Sequence, residues 1–203
     1  RKSIFLFLAM LLIVAVAACS PEPTPEPTAP PVPTPTAEAT IGTPDDTGKI
    51  PPLAPIFSVA SIDGENVRLE DLLGEVPVYL VFIPSTTSEL DRTQLKSLQQ
   101  NIDQFDDFNA EVVVVVADLP TRVIDMRDEL SLEFALIADP LHVVANDWQV
   151  FDLDNNGESS PASFVFDAHG NLIARLVAAE PGDRPSVSEV LSVIEESLRA
   201  GTA

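Results

Sequence analysis

Residues 76–83, VPVYLVFI, and residues 111–118, EVVVVVAD, are the stretches that decide the fold. Each is a short, nearly continuous apolar run, which is typical of a strand whose sheet is covered on both faces. Between them, residues 89–108 carry apolar side chains at helical spacing and predict a helix. Two buried strands joined by a helix indicate a layered α/β fold.

The segments on either side extend this pattern. An alternating stretch around Asp63-Gly64 predicts an opening hairpin. Further predicted elements are a helix at 121–130, a short strand at 135–138, one or two helical turns at 142–148, a hairpin of 163–167 and 172–178 around the turn DAHGN, and an amphipathic helix at 187–198. Strands separated by helices, with an antiparallel pair late in the chain, predict a mixed central sheet flanked by helices.

The first residues have the pattern of a signal for export. Arg1 and Lys2 precede an apolar stretch at 4–18, which is shorter than the roughly 20 residues that a membrane-spanning helix needs. The stretch ends in Val16-Ala17-Ala18-Cys19, which resembles the lipobox of bacterial lipoproteins. By that resemblance, residues 1–18 are a signal peptide and Cys19 carries the lipid that anchors the protein to a membrane, facing outside the cytoplasm. The alternatives are an ordinary secretory signal or a buried helix.

Residues 19–55 hold twelve of the nineteen prolines and almost no apolar side chains to bury, so we expect an unpacked tether. Residues 56–203 are near the modal size for one domain. From residue 50 onward there are eight basic and twenty-seven acidic side chains, a balance that repels nucleic acid. Cys19 is the only cysteine in the chain, so the predicted domain has no thiol and no disulfide.

Six segments of this domain, in order and spacing, resemble the thioredoxin-like proteins of the redoxin and peroxiredoxin type, the alkyl hydroperoxide reductase/thiol-specific antioxidant family. They include APIFSVASIDGENVRLEDLLGEVPVYLVFIP, ALIADPLHVVANDWQVFD and PASFVFDAHGNLIARL. The resemblance implies a thioredoxin-like fold and descent from oxidoreductases.

The active-site region departs from that family. In the peroxiredoxin register, Pro84 and Ser88 match the family's Pro and hydroxyl residue, but Asp91 stands where the peroxidatic Cys is expected. Peroxide reduction needs a low-pKa thiolate that becomes a sulfenic acid, and a carboxylate cannot do this. The family therefore implies a degenerate site here.

The thioredoxin register gives the same result, since the C-x-x-C positions fall on Thr87 and Leu90. Pro161 stands where peroxiredoxins have an Arg and where thioredoxins have a cis-proline. The resemblance therefore implies a cis Ser160–Pro161 bond beside the helix start at Thr86–Ser88, with any binding surface between them.

The helix start has a local explanation. Thr86 and Glu89 have the spacing of a capping box, in which the hydroxyl satisfies a free backbone N–H group. Asp91, one turn further, complements the helix dipole. The alternative is an anion held by the helix N-terminus, which the acidic surroundings disfavour.

A calcium loop is a further candidate. Asp152, Asp154 and Asn156 match the front half of an EF-hand loop, but Ser163 stands at its twelfth position and Pro161 interrupts it. A plain polar turn explains the same residues. His142 and His169 have no partners at ligand spacing, so we expect no transition-metal site and no cofactor.

Three functions are consistent with these patterns: a non-catalytic binding or scaffolding domain, a redoxin-type oxidoreductase that relies on the thiols of a partner, and a calcium-stabilised surface module. The first is preferred, because activity depends on the site and not on the fold. The expected partners are membrane lipid through Cys19 and another envelope protein.

Overall fold

The two apolar runs become neighbouring parallel strands in the computed structural model, which describes residues 55–180 and 182–201. The elements in chain order are β1 (Ser58–Ala60), β2 (Asn66–Arg68), α1 (Leu69–Leu72), β3 (Val78–Ile83), α2 (Glu89–Gln100), α3 (Ile102–Asp107), β4 (Glu111–Val116), α4 (Pro120–Leu130), β5 (Ala135–Ala138), α5 (Val143–Asp147), β6 (Ala162–Phe166), β7 (Leu172–Val177) and α6 (Val187–Gly201). The predicted signal peptide, Cys19 and the predicted tether up to residue 54 lie outside the described residues.

The main sheet has the strand order β5-β4-β3-β6-β7. Strands β3, β4 and β5 are parallel, whereas β6 and β7 run antiparallel to their neighbours. This confirms the predicted mixed sheet with a late antiparallel pair. The predicted opening hairpin is also present, with Ser58 opposite Arg68 in a separate two-stranded sheet.

Both faces of the main sheet are covered. All six residues of β3 are buried. Tyr79, Val81 and Ile83 pack with α2, α4 and α6, and the side chains between them pack with α1, α5 and Trp148 on the other face. Burial on both faces is the physical reason why this strand is a continuous apolar run.

The predicted helix at 89–108 is divided in two, and this part of the prediction is wrong. Asn101 ends α2, because its backbone leaves the helical region with φ near −119°. Its side-chain Nδ2 donates to the Ser97 carbonyl at 2.7 Å. Short amide side chains compete with the backbone in this way and favour helix ends. By contrast, α4 begins with Pro120 in its first turn, where a missing N–H costs nothing.

The described residues form two hydrophobic cores, one on each face of the main sheet. Among the described helices, none combines the length and the apolar character needed to cross a membrane.

Candidate functional site

The N-terminus of α2 is held by a different hydroxyl from the one that the sequence predicts. Ser88 is the N-cap, and its Oγ accepts from the Asp91 N–H at 3.3 Å. The predicted capping box of Thr86 and Glu89 is wrong, because the Thr86 hydroxyl donates to Asp118 Oδ2 at 2.6 Å. The Thr86 hydroxyl therefore binds Asp118, which follows β4, and does not cap the helix as its local spacing predicts.

Asp118 is in turn fixed as an acceptor. Burial alone would raise the pKa of Asp118, but hydrogen bonds from Thr86 and from the Leu119 N–H, together with the charge of Arg122, outweigh it and lower the pKa. The carboxylate form therefore persists at neutral pH and keeps the loop before α2 tied to the end of β4.

Asp91 lies in the first turn of α2 with only 1 % of its surface exposed. Its Oδ1 accepts from Arg184 Nε at 3.1 Å and also from Arg184 Nη2. Its Oδ2 accepts from the Ser85 N–H at 3.2 Å. Asp91, which the sequence resemblance predicts to stand at the position of the peroxidatic thiol, is thus a buried carboxylate paired with a guanidinium.

Arg184 lies in the segment between β7 and α6, and its side chain is 12 % exposed. Its Nη1 also donates to the Asp183 carbonyl at 2.7 Å, which orients the guanidinium toward α2. Sequence reasoning missed this residue, since it is 93 positions from Asp91 and belongs to no motif. One signal in the sequence was available: basic residues are few in this acidic chain, so each one is a candidate partner for a buried acid.

The predicted cis bond at Pro161 is wrong, since the described residues contain no cis peptide bond. Both flanks of Pro161 are held in extended pairing. The Ser160 N–H donates to the Val150 carbonyl at 2.7 Å, and the Pro161 carbonyl accepts from the Ala178 N–H at 2.9 Å. A trans bond, which is already preferred by about 0.5–1 kcal/mol, fits this extended path.

The surface predicted between Pro161 and Thr86–Ser88 needs a corresponding correction. Pro161 lines a cavity together with Gln94 and Arg184, and none of the residues 86–88 lines it. Of the predicted site residues, Ser88 and Asp91 come together at the helix start, whereas Pro161 borders the space one turn further along α2.

In the candidate calcium loop, side-chain oxygens of Asp152 and Asn156 accept hydrogen bonds from backbone N–H groups of the same turn. Asp152 Oδ1 accepts from the Gly157 N–H at 2.7 Å, and Asn156 Oδ1 accepts from the Glu158 N–H at 3.0 Å. In the part of the chain that the structure describes, no group of three or more His, Asp or Glu side chains is placed to hold a metal ion. The loop containing Asp154 therefore has the geometry of the polar turn that was the alternative interpretation.

The two histidines do not form a joint site. His142 Nδ1 lies 2.7 Å from Ser159 Oγ, and its ring packs at a tilt against the ring of Phe151, with 4.7 Å between the centroids. His169 lies in the turn between β6 and β7, where its backbone N–H donates to Asp167.

Residues 52–175 match the AhpC/TSA family model. The chain belongs to the AhpC/TSA family. Peroxiredoxin Bcp of Escherichia coli K12 is 28 % identical over 130 residues, which cover 59 % of this chain and 80 % of that protein. The mitochondrial thioredoxin-dependent peroxide reductase of Drosophila melanogaster is 30 % identical over 152 residues, or 70 % of this chain and 64 % of that one.

Solved structures agree on the fold. The reduced 2-Cys peroxiredoxin of Plasmodium vivax superposes with a TM-score of 0.65 at 21 % identity, covering 74 % of this chain and 97 % of that one. Peroxidoxin BcpB of Mycobacterium tuberculosis gives a TM-score of 0.63 at 17 % identity, covering 71 % of this chain and 94 % of that one. These likenesses confirm the thioredoxin-like fold of the AhpC/TSA family member.

Proposed function

We propose that this member of the AhpC/TSA family is a lipid-anchored protein outside the cytoplasm whose thioredoxin-like domain binds a ligand or partner without thiol chemistry. The observation that carries the proposal is the Asp91–Arg184 pair at the start of α2. It fills the family's nucleophile position with a buried carboxylate that accepts hydrogen bonds from Arg184 and Ser85.

The chemistry supports the non-catalytic part of the proposal. A peroxidatic thiolate attacks peroxide oxygen, becomes a sulfenic acid and is restored by a second thiol. A carboxylate has no corresponding reversible oxidation. Cys19, the only thiol of the chain, stands outside the family match at 52–175.

The anchored part of the proposal is supported by the sequence. The charged start, the apolar stretch at 4–18, the box ending at Cys19 and the proline-rich residues 19–55 follow one another in the order expected of a tethered lipoprotein. The excess of acidic side chains supports a partner other than nucleic acid.

The direct test is peroxide consumption by the purified full chain with dithiothreitol or reduced thioredoxin as the electron donor. We expect no turnover above buffer. The Cys19→Ala variant serves as the matched control, because it assigns any residual signal to the anchor thiol. Turnover that persists in Cys19→Ala would refute the non-catalytic proposal.

A second candidate is favoured by the family match itself. It is a redoxin-type oxidoreductase role in which a partner protein supplies the thiols. The same assay distinguishes it, since turnover of Cys19→Ala that appears with reduced thioredoxin and not with dithiothreitol would support the partner-dependent role.

A further inference from the structure

A cavity of about 220 Å³ lies beside the Asp91–Arg184 pair. Its walls are Gln94 of α2, the first residues of β6, the end of β7 with the two alanines that follow, and the segment 183–185. The cavity is therefore bounded by four separate parts of the fold, and its shape depends on their packing.

Gln94 is the unusual feature of this cavity. The residue is 7 % exposed, and its Oε1 has no hydrogen-bond partner among the residues that the structure describes. A buried acceptor without a partner costs about 1–3 kcal/mol. Gln94 lines the cavity and the terminal torsion of a glutamine side chain is soft, so we expect rotation about it to bring this oxygen to the cavity. A donor that enters the cavity would thus satisfy Gln94 Oε1.

Other polar groups of the cavity already have partners: the Asp183 carboxylate, for example, accepts through Oδ2 from the N–H groups of Ala179 and Glu180. Arg184 is paired with Asp91, and the buried Ser163 hydroxyl lies 3.1 Å from the Tyr79 hydroxyl. Burial raises the pKa of Tyr79 to about 12, although hydrogen bonds with Ser163 and Gln94 act in the opposite direction. Tyr79 is therefore uncharged at neutral pH.

The rest of the wall is largely apolar, with Leu176, Val177 and Pro185 among its residues. The protein as a whole carries a net charge of −21, which disfavours anionic ligands. A cavity of about 150 Å³ is known to hold benzene, so this one has room for a single ring with a polar substituent.

We propose that this cavity binds a small neutral molecule in which an O–H or N–H donor, directed at Gln94 Oε1, is attached to an apolar body about the size of one aromatic ring. The inference rests on the proposed function in that the domain binds its ligand and does not turn it over.

The test uses phenol and toluene as a matched pair, because toluene has a similar size and lacks the donor. Both are titrated into a ¹⁵N-labelled fragment of residues 50–203, and the amide chemical shifts are followed. This fragment includes both cores and the whole family match at 52–175. We expect saturable shifts at Ala178 and Ala179, with phenol binding about fivefold tighter than toluene, the discrimination of one net hydrogen bond. In Gln94→Leu, a near match in volume, the two affinities should become equal.

A second variant keeps the test decisive if Gln94→Leu fails to fold. Ala179→Leu places a larger side chain at an exposed residue that lines the cavity and leaves Gln94 in place, so it should lose the binding of both probes. Equal affinities in the native domain, shifts that spread away from the cavity, absence of saturable shifts, or native-like binding by Ala179→Leu would each overturn the inference. Its failure is distinct from failure of the proposed function, which is read from peroxide turnover.

Discussion

Replacing Arg184 by Met should lower the free energy of unfolding by about 3–5 kcal/mol, because it leaves a buried carboxylate without its cation. Asp91 is almost fully buried, and the guanidinium supplies both hydrogen bonds to its Oδ1. Met keeps much of the length and the apolar contact of the Arg stem, so the loss reports mainly on charge. The free energy of unfolding of a native domain is about 5–15 kcal/mol, so the expected change is a large fraction of the total stability.

The double variant tests the cause. Replacing both partners, as Asp91→Leu with Arg184→Met, removes the unpaired charge together with the pair, and such replacements are often neutral or stabilising. We therefore expect it to recover most of the stability that Arg184→Met loses. Glu129→Gln is the control: it removes the partner of Arg92, but Glu129 is 68 % exposed, so the loss should stay below about 1 kcal/mol.

Urea unfolding of residues 50–203 followed by tryptophan fluorescence gives these values. Trp148 is the only tryptophan of the chain, and its buried ring packs against Phe164, so its emission reports on the core. A change of less than about 1 kcal/mol in Arg184→Met would show that Asp91 is hydrated or otherwise compensated. A double variant as unstable as the sum of the two single variants would show that the residues act independently.

Three further predictions concern other parts of the chain. Radiolabelled palmitate should enter the native protein in cells, and Cys19→Ala should release the protein into the medium; an unchanged membrane fraction would contradict the anchor. Asp91→Cys, in residues 50–203, should titrate by thiolate absorbance with a midpoint below about 8.5, because Arg184 and the helix N-terminus favour the anion; a midpoint at or above that value would mean that this position no longer stabilises a thiolate. The pKa of Tyr79 rises from 10.0 to about 12 on folding, so between these values the unfolded chain has lost a proton that the folded domain retains. The free energy of unfolding should therefore fall there by about 1.4 kcal/mol per pH unit, and this dependence should be absent in Tyr79→Phe.

The sheet was predictable because its signal is local. The apolar runs that became β3 and β4 are buried on both faces, so each residue along them independently indicates the same environment. The division of the helix at Asn101 was not predictable from apolar spacing alone. The apolar periodicity continues across that residue, and only its own side-chain hydrogen bond reveals the break.

The site was less predictable, because its decisive contacts join distant segments. The match to the family placed Ser88 and Asp91 at a helix start, where the structure also has them. The partner of Thr86 lies just after another strand, and the partner of Asp91 lies on a distant loop. Local rules assign each hydroxyl or carboxylate to its nearest backbone group, and they fail when a tertiary partner competes for it.

The bond between Asp91 and Arg184 also has a consequence for the order of assembly. It joins residues that are 93 positions apart, so it can form only when the segment between β7 and α6 has reached the start of α2. Loop closure over such a distance is slow and entropically costly before other contacts support it. In a chain that emerges N-terminus first, Asp91 can therefore be paired with its cation only after the segment between β7 and α6 has appeared.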